Sequence, residues 1–145
     1  MPTRSAHTSW HGTLNDGSGR VELTSSGAGA YDVSFPRRAA DDAGGVTSPE
    51  ELIGAAHSSC YAMQLSAVIA EAGGTPVDLD VKADVTLRPD SAGGFHISGI
   101  ALTVRGTVEG LDADGFLAAA ESAKTGCPVS KALTGTTITL DAALA

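Results

Sequence analysis

The segment SPEELIGAAHSSCYAMQLSAVIAEAGGTP, residues 48–76, sets the plan of the whole chain. Ser48 is a good N-cap, Pro49 suits the first helical position, and Glu51 completes a Ser-x-x-Glu capping box. Glu50 and Glu51 place negative charge at the positive end of the helix dipole. No breaker beyond Gly54 intervenes until Gly73, Gly74 and Pro76, which predicts a helix of roughly 24 residues, about 36 Å long. From Leu52 to Ala70 there is no Asp, Glu, Lys or Arg. A helix that is apolar or small on nearly every face is expected to be buried on nearly every face, wrapped by sheet or by a partner subunit.

On both sides the pattern is that of strands. NDGSG (Asn15 to Gly19) is a strong turn between strand-like runs and predicts a hairpin, followed by a third short strand, GAGAYDVSF, that ends at Pro36. Residues 37–47 read as a charged, Gly-containing loop. After Pro76, Val77, Leu79, Val81, Ala83, Val85 and Leu87 alternate with period two, and DSAGG turns the chain into FHISGIALTVRGTVEG, a second long strand or pair that forms a hairpin with the first. LDADGFLAAAESAKTG reads as a helix capped by Asp112 or Asp114 and ended by Gly126. A short helical turn, PVSKAL, and a last strand, TTITLDAAL, close the chain. The order predicts one α+β domain over 1–145, with a mostly antiparallel sheet around a long buried central helix.

Composition narrows the function. Nine Lys and Arg against 17 Asp and Glu give a formal charge of −8, which argues against a nucleic-acid partner, since phosphate binding needs clustered cations. No run approaches the ~18 uninterrupted apolar residues of a membrane span. MPTRSAHTSWHG lacks an apolar signal core, so the expected compartment is the cytoplasm.

Two cysteines, Cys60 and Cys127, stand far apart in the sequence. Cys60 lies mid-helix, where the plain reading is a small core residue; activating it would need a nearby Arg, because the helix dipole fades within a turn. Cys127 precedes Pro128 at an apparent helix start, so on local electrostatics it is the more acidic thiol. His57 sits three positions before Cys60 on nearly the same face, yet His57, Cys60 and Glu50 match no established zinc pattern, and no metal or cofactor is expected. His7, His11 and His96 read as strand residues, and Asp41 and Asp42 as solvated surface.

SPEELIGAAHSSCYAMQLS, with GCPVSKAL some sixty residues later, resembles the OsmC/Ohr family of thiol peroxidases, and AAH before Cys60 with Cys-Pro-Val-Ser at Cys127 is closer to the OsmC branch. The likeness also takes in VSFPRRA, ADVTL and the closing ITLDA. It implies an intertwined homodimer with two sites at the subunit interface. It further implies Cys60 as peroxidatic thiol, Cys127 as resolving thiol and Glu50 as the acidic residue. Arg38, next to the Ala, fits the family's arginine better than Arg37. The implied reaction reduces an organic hydroperoxide to an alcohol through a Cys60 sulfenic acid and a Cys60–Cys127 disulfide, reopened by an external dithiol, typically a dihydrolipoyl group. Phe35, Leu52, Ile53, Tyr61 and Met63 are candidates for an apolar substrate pocket. Two other classes fit the same residues: a thiol–disulfide exchange protein, and a non-catalytic dimeric binder of an apolar ligand.

Overall fold

Three short strands open the chain in the computed structural model, which describes residues 1–145. They are β1 (His7–His11), β2 (Ser18–Glu22) and β3 (Ala30–Val33), joined as an antiparallel sheet in that order. The expected hairpin at Asn15 to Gly19 pairs His7 with Glu22 and His11 with Ser18. The third strand stops at Val33, short of Pro36, and residues 35–38, read as strand end and loop, are helical instead: α1 (Phe35–Arg38). Ser34 accepts a hydrogen bond from the Arg37 backbone N–H, and Pro36 sits in the first turn, where its missing N–H costs nothing. These elements belong to a compact unit, residues 1–52; residues 53–145 form a second.

The helix α2 (Pro49–Glu71) starts where its cap predicts. Ser48 Oγ accepts from the Glu51 N–H at 3.1 Å, but the reciprocal half of the box does not form, because the Glu51 carboxylate accepts the Thr47 hydroxyl instead. Gly73, at φ +86°, supplies the left-handed step that ends it. By length and hydropathy alone α2 could cross a membrane; here its buried stripe packs into a protein core. Within one chain that burial is narrower than expected. His57, Tyr61, Leu65 and Ile69 are fully buried, whereas Ala56, Ser59, Met63, Ala67 and Ala70 lie exposed, Met63 at 72%.

The rest of the second unit is a sheet of β4 (Thr75–Pro89), β5 (Phe95–Glu109) and β6 (Ile138–Leu144), in that order, with α3 (Ala113–Gly126) and α4 (Pro128–Ala132) between β5 and β6. The single sheet expected is therefore two. β4 and β5 pair antiparallel as predicted, whereas β6 runs parallel to β5, Ile100 opposite Ile138. A parallel neighbour requires a crossover, and α3 is that crossover. Asp112 caps it by accepting from the Gly115 N–H at 2.8 Å. Leu102 and Val104 point from β5 into a core with Tyr61, Leu65 and Ile69 of α2 and Phe116, Ala119, Ala120 and Ala123 of α3. Val77 departs from the predicted alternation. It falls in the register shift between Pro76 and Asp78 and turns outward.

Gly106 takes the next inward position on β5, directly under the Phe116 ring. A Cβ there would lie 2.8 Å from two ring carbons, and a close-packed core yields little. Gly106→Ala is expected to cost about 2 kcal/mol and lower Tm by roughly 6 °C, measurable by calorimetry; an unchanged Tm would refute this packing.

Candidate active site

Two groups of chemistry-bearing residues emerge, one in each unit. In residues 1–52, α1 presents Arg38 and the first turn of α2 presents Glu50. The guanidinium grips the carboxylate as a fork: Arg38 Nη2 donates to Glu50 Oε1 at 2.7 Å, and Nε donates to Oε1 and Oε2 at 3.1 and 3.2 Å. Glu50 is only 8% exposed, so its charge depends on that partner. Of the two arginines in VSFPRRA, Arg38 makes this pair, while the Arg37 guanidinium lies over Gly44.

Beside Arg38 lies a cavity of about 250 Å³, walled by Trp10, Leu14, Val33, Phe35 and Pro49, with Ser34 and Arg38 its polar members. Of the apolar residues expected to line a pocket, Phe35 is there. Tyr61 is committed to the core, its hydroxyl donating to the Ala120 carbonyl at 3.0 Å, and Met63 faces outward. Trp10, Leu14, Val33 and Pro49 were not anticipated. Trp10 and Val33 come from strands whose pairing brings them to one side, which a linear reading does not show.

In residues 53–145, α2 and the start of α4 bring the two sulfurs together. Cys60 Sγ and Cys127 Sγ are 3.1 Å apart, in hydrogen-bond contact and unbonded, across 67 residues of sequence. Their surroundings differ. Cys60 is half-buried and Cys127 fully sealed. Burial pushes the Cys60 thiol up, and the adjacent Cys127 pushes it further, outweighing a backbone hydrogen bond from Val129. Burial acts on Cys127 in the same sense, but hydrogen bonds from the Ser130 backbone, from Cys60, from the Ser130 hydroxyl and from the Val129 backbone bring it below the ordinary thiol range. The sequence expectation that Cys127 is the more acidic thiol agrees with these two directions, although the Cys127 side chain makes no capping hydrogen bond at the start of α4.

The histidine three residues before Cys60 does not join a ligand set. His57 is fully buried; its Nε2 lies 2.7 Å from Ser130 Oγ and its Nδ1 has no partner. Burial lowers its pKa, so the ring is neutral at neutral pH. Ser130 was not singled out from sequence, although PVSKAL, read as a helical turn, already places it three residues after Cys127.

A sequence model of OsmC-like proteins matches residues 41–141. Peroxiredoxin OsmC of Escherichia coli (strain K12) is 43% identical over 132 residues, covering 91% of this chain and 90% of that protein. The organic hydroperoxide resistance protein OhrA of Bacillus subtilis (strain 168) is 34% identical over 89 residues, 61% of each chain. The crystal structure of an organic hydroperoxide resistance protein OsmC from Legionella pneumophila superposes with a TM-score of 0.79 at 28% identity, covering 99% of this chain and 98% of that one.

Proposed function

Because the chain belongs to the OsmC-like family, whose relatives named above support a peroxidase-type redox role, we propose that it is a two-cysteine peroxidase that reduces organic hydroperoxides to alcohols. The observation that carries this reading is the 3.1 Å contact between the sulfurs of one half-buried and one fully buried cysteine. Only Cys60 can meet a peroxide, and Cys127 stands ready behind it.

The Cys60 thiolate attacks one peroxide oxygen, the O–O bond breaks, and the alkoxide leaves as alcohol after taking a proton. Cys60 becomes a sulfenic acid. Cys127 then attacks that sulfur, the S–O bond breaks, water departs, and a disulfide joins the two. An external dithiol reopens it by exchange. A dihydrolipoyl group is the reductant that the family resemblance suggests.

A half-buried thiol pushed upward needs a cation to ionise, and Arg38 is the residue proposed for this. Glu50 orients its guanidinium, leaving one face free to polarise the peroxide. In this reading, as the family resemblance implies for sites at a subunit interface, the guanidinium serves a sulfur in a dimer of two copies. The uncharged open face of α2, from Ala56 to Ala70, supports such a dimer. The apolar cavity at Arg38 favours a peroxide with a hydrocarbon body over hydrogen peroxide. Its working compartment is proposed to be the cytoplasm.

Thiol counting by mass spectrometry after one equivalent of an organic hydroperoxide tests the proposal. The expected product is a Cys60–Cys127 disulfide within one chain. Two untouched thiols would remove the reading.

A further inference from the structure

We propose that His57 and Ser130 form a clamp that sets α4 against α2, and that both are positioning residues for closure of the Cys60–Cys127 disulfide. The inference deepens the two-cysteine reading and rests on it for its biological setting, while its test needs no peroxide.

Two contacts join the helix pair at neighbouring turns. His57 precedes Cys60 by three residues on α2, and Ser130 follows Cys127 by three. His57 Nε2 lies 2.7 Å from Ser130 Oγ, and the two sulfurs lie 3.1 Å apart. The polar contact is shut away from water: His57 is fully buried and Ser130 is 6% exposed. Nδ1 of the same ring has no partner. Orphaned buried N–H groups are rare, which assigns the one proton of the neutral ring to Nε2, donated to the serine oxygen.

The need for a clamp lies in α4 itself. A helix of five residues is too short to sustain itself, and this one starts without a side-chain cap. On its N-terminal side Cys127 is held by α3, its N–H donating to the Ala123 carbonyl at 2.9 Å. The backbone is extended at Cys127, however, with φ −60° and ψ 123°, so the course of α3 does not carry over into α4. The other flank of Cys127 depends on α4, where the Lys131 N–H donates to the Cys127 carbonyl at 3.0 Å. Ser130 is the one buried residue of that helix. Apolar burial holds surfaces together without direction, whereas a hydrogen bond fixes both distance and angle. The bond to His57 therefore sets where the Cys127 side chain points. Without it α4 samples other positions, and only the fraction of chains with α4 in place can close the disulfide.

Equilibration of the whole chain with a dithiothreitol redox buffer tests this. Oxidised dithiothreitol takes two electrons and two protons from Cys60 and Cys127; its own S–S bond breaks as theirs forms, and reduced dithiothreitol is released. Acid quenching, alkylation and mass spectrometry give the ratio of disulfide to dithiol chains. Ser130→Ala and His57→Leu are each expected to lower that equilibrium constant about tenfold, which raises the potential of the couple by about 30 mV. His57→Gln, which carries an N–H at similar reach, is expected to restore most of it. Gly106→Ala, which crowds the Phe116 ring instead, is expected to lower Tm and leave the constant unchanged.

Amide hydrogen exchange reports on α4 directly. In the reduced chain the Lys131 and Leu133 N–H groups, bonded to the Cys127 and Val129 carbonyls, are expected to exchange about tenfold faster in Ser130→Ala. Closing the disulfide should remove that difference. An unchanged equilibrium constant, a fall that Gly106→Ala reproduces or His57→Gln does not reverse, or α4 amides indifferent to Ser130→Ala would overturn the proposal. Should His57→Leu not fold, Ser130→Ala decides by the same criteria. A chain without peroxidase activity would still show the clamp, so the two failures are told apart.

Discussion

Cys60→Ser is expected to lower organic hydroperoxide turnover by at least about three orders of magnitude, because an alcohol at that position has no accessible anion to attack oxygen. Cys127→Ser is expected to behave differently. One equivalent of peroxide is still consumed per chain, after which Cys60, unable to close a disulfide, proceeds to sulfinic acid. Mass spectrometry distinguishes the two outcomes by the oxygens added to the peptide carrying Cys60. If Cys60→Ser retained turnover, or if Cys127→Ser cycled normally with a dithiol, the assigned roles would be wrong. A mere binder of an apolar ligand would keep its affinity in both variants.

Arg38→Met is expected to produce the second large effect, a loss of peroxide reactivity of about two orders of magnitude together with a loss of stability. The stability part follows from Glu50, which is 8% exposed and would keep a charge without a partner. Breaking a buried pair from one side costs about 3–5 kcal/mol. The Arg38 side chain is a third exposed, which reduces the figure here to about 2 kcal/mol. Adding Glu50→Gln should recover most of that stability in chemical denaturation and none of the activity. Arg38→Lys should keep a positive charge but not the two-pronged grip, and so restore only part of the rate. Equal peroxide reactivity in Arg38→Met and the parent chain would remove the guanidinium from the mechanism.

The local features were legible because they rest on near neighbours. The bounds of α2 could be read from Ser48, Pro49 and the glycine pair, and the β4–β5 hairpin from its alternation. A related signature marks α1, where Ser34 caps the helix and Pro36 stands at its second position rather than its first, yet the charged run after it read as loop. The parallel placement of β6 was not legible, since alternation names a strand's faces and not its direction. The outward turn of Val77 depends on a register shift that only the partner strand defines. At the site, the acidity of Cys127 was expected from one local fact, its place before Pro128. The contacts of Cys60 with Cys127 and of His57 with Ser130 span 67 and 73 residues. The first was implied by family resemblance alone, and the second by nothing in the linear chain.

The long separation of the two sulfurs has a consequence during protein synthesis. At about 5–20 residues per second, the ribosome takes roughly 3 to 13 s to add the 67 residues that separate Cys60 from Cys127. Throughout that interval a nascent chain carries the first sulfur without the second. A chain caught by oxidant then, or stalled before residue 127, has no partner thiol with which to undo the damage. Under the stress that the finished protein is proposed to relieve, its unfinished copies are the vulnerable ones.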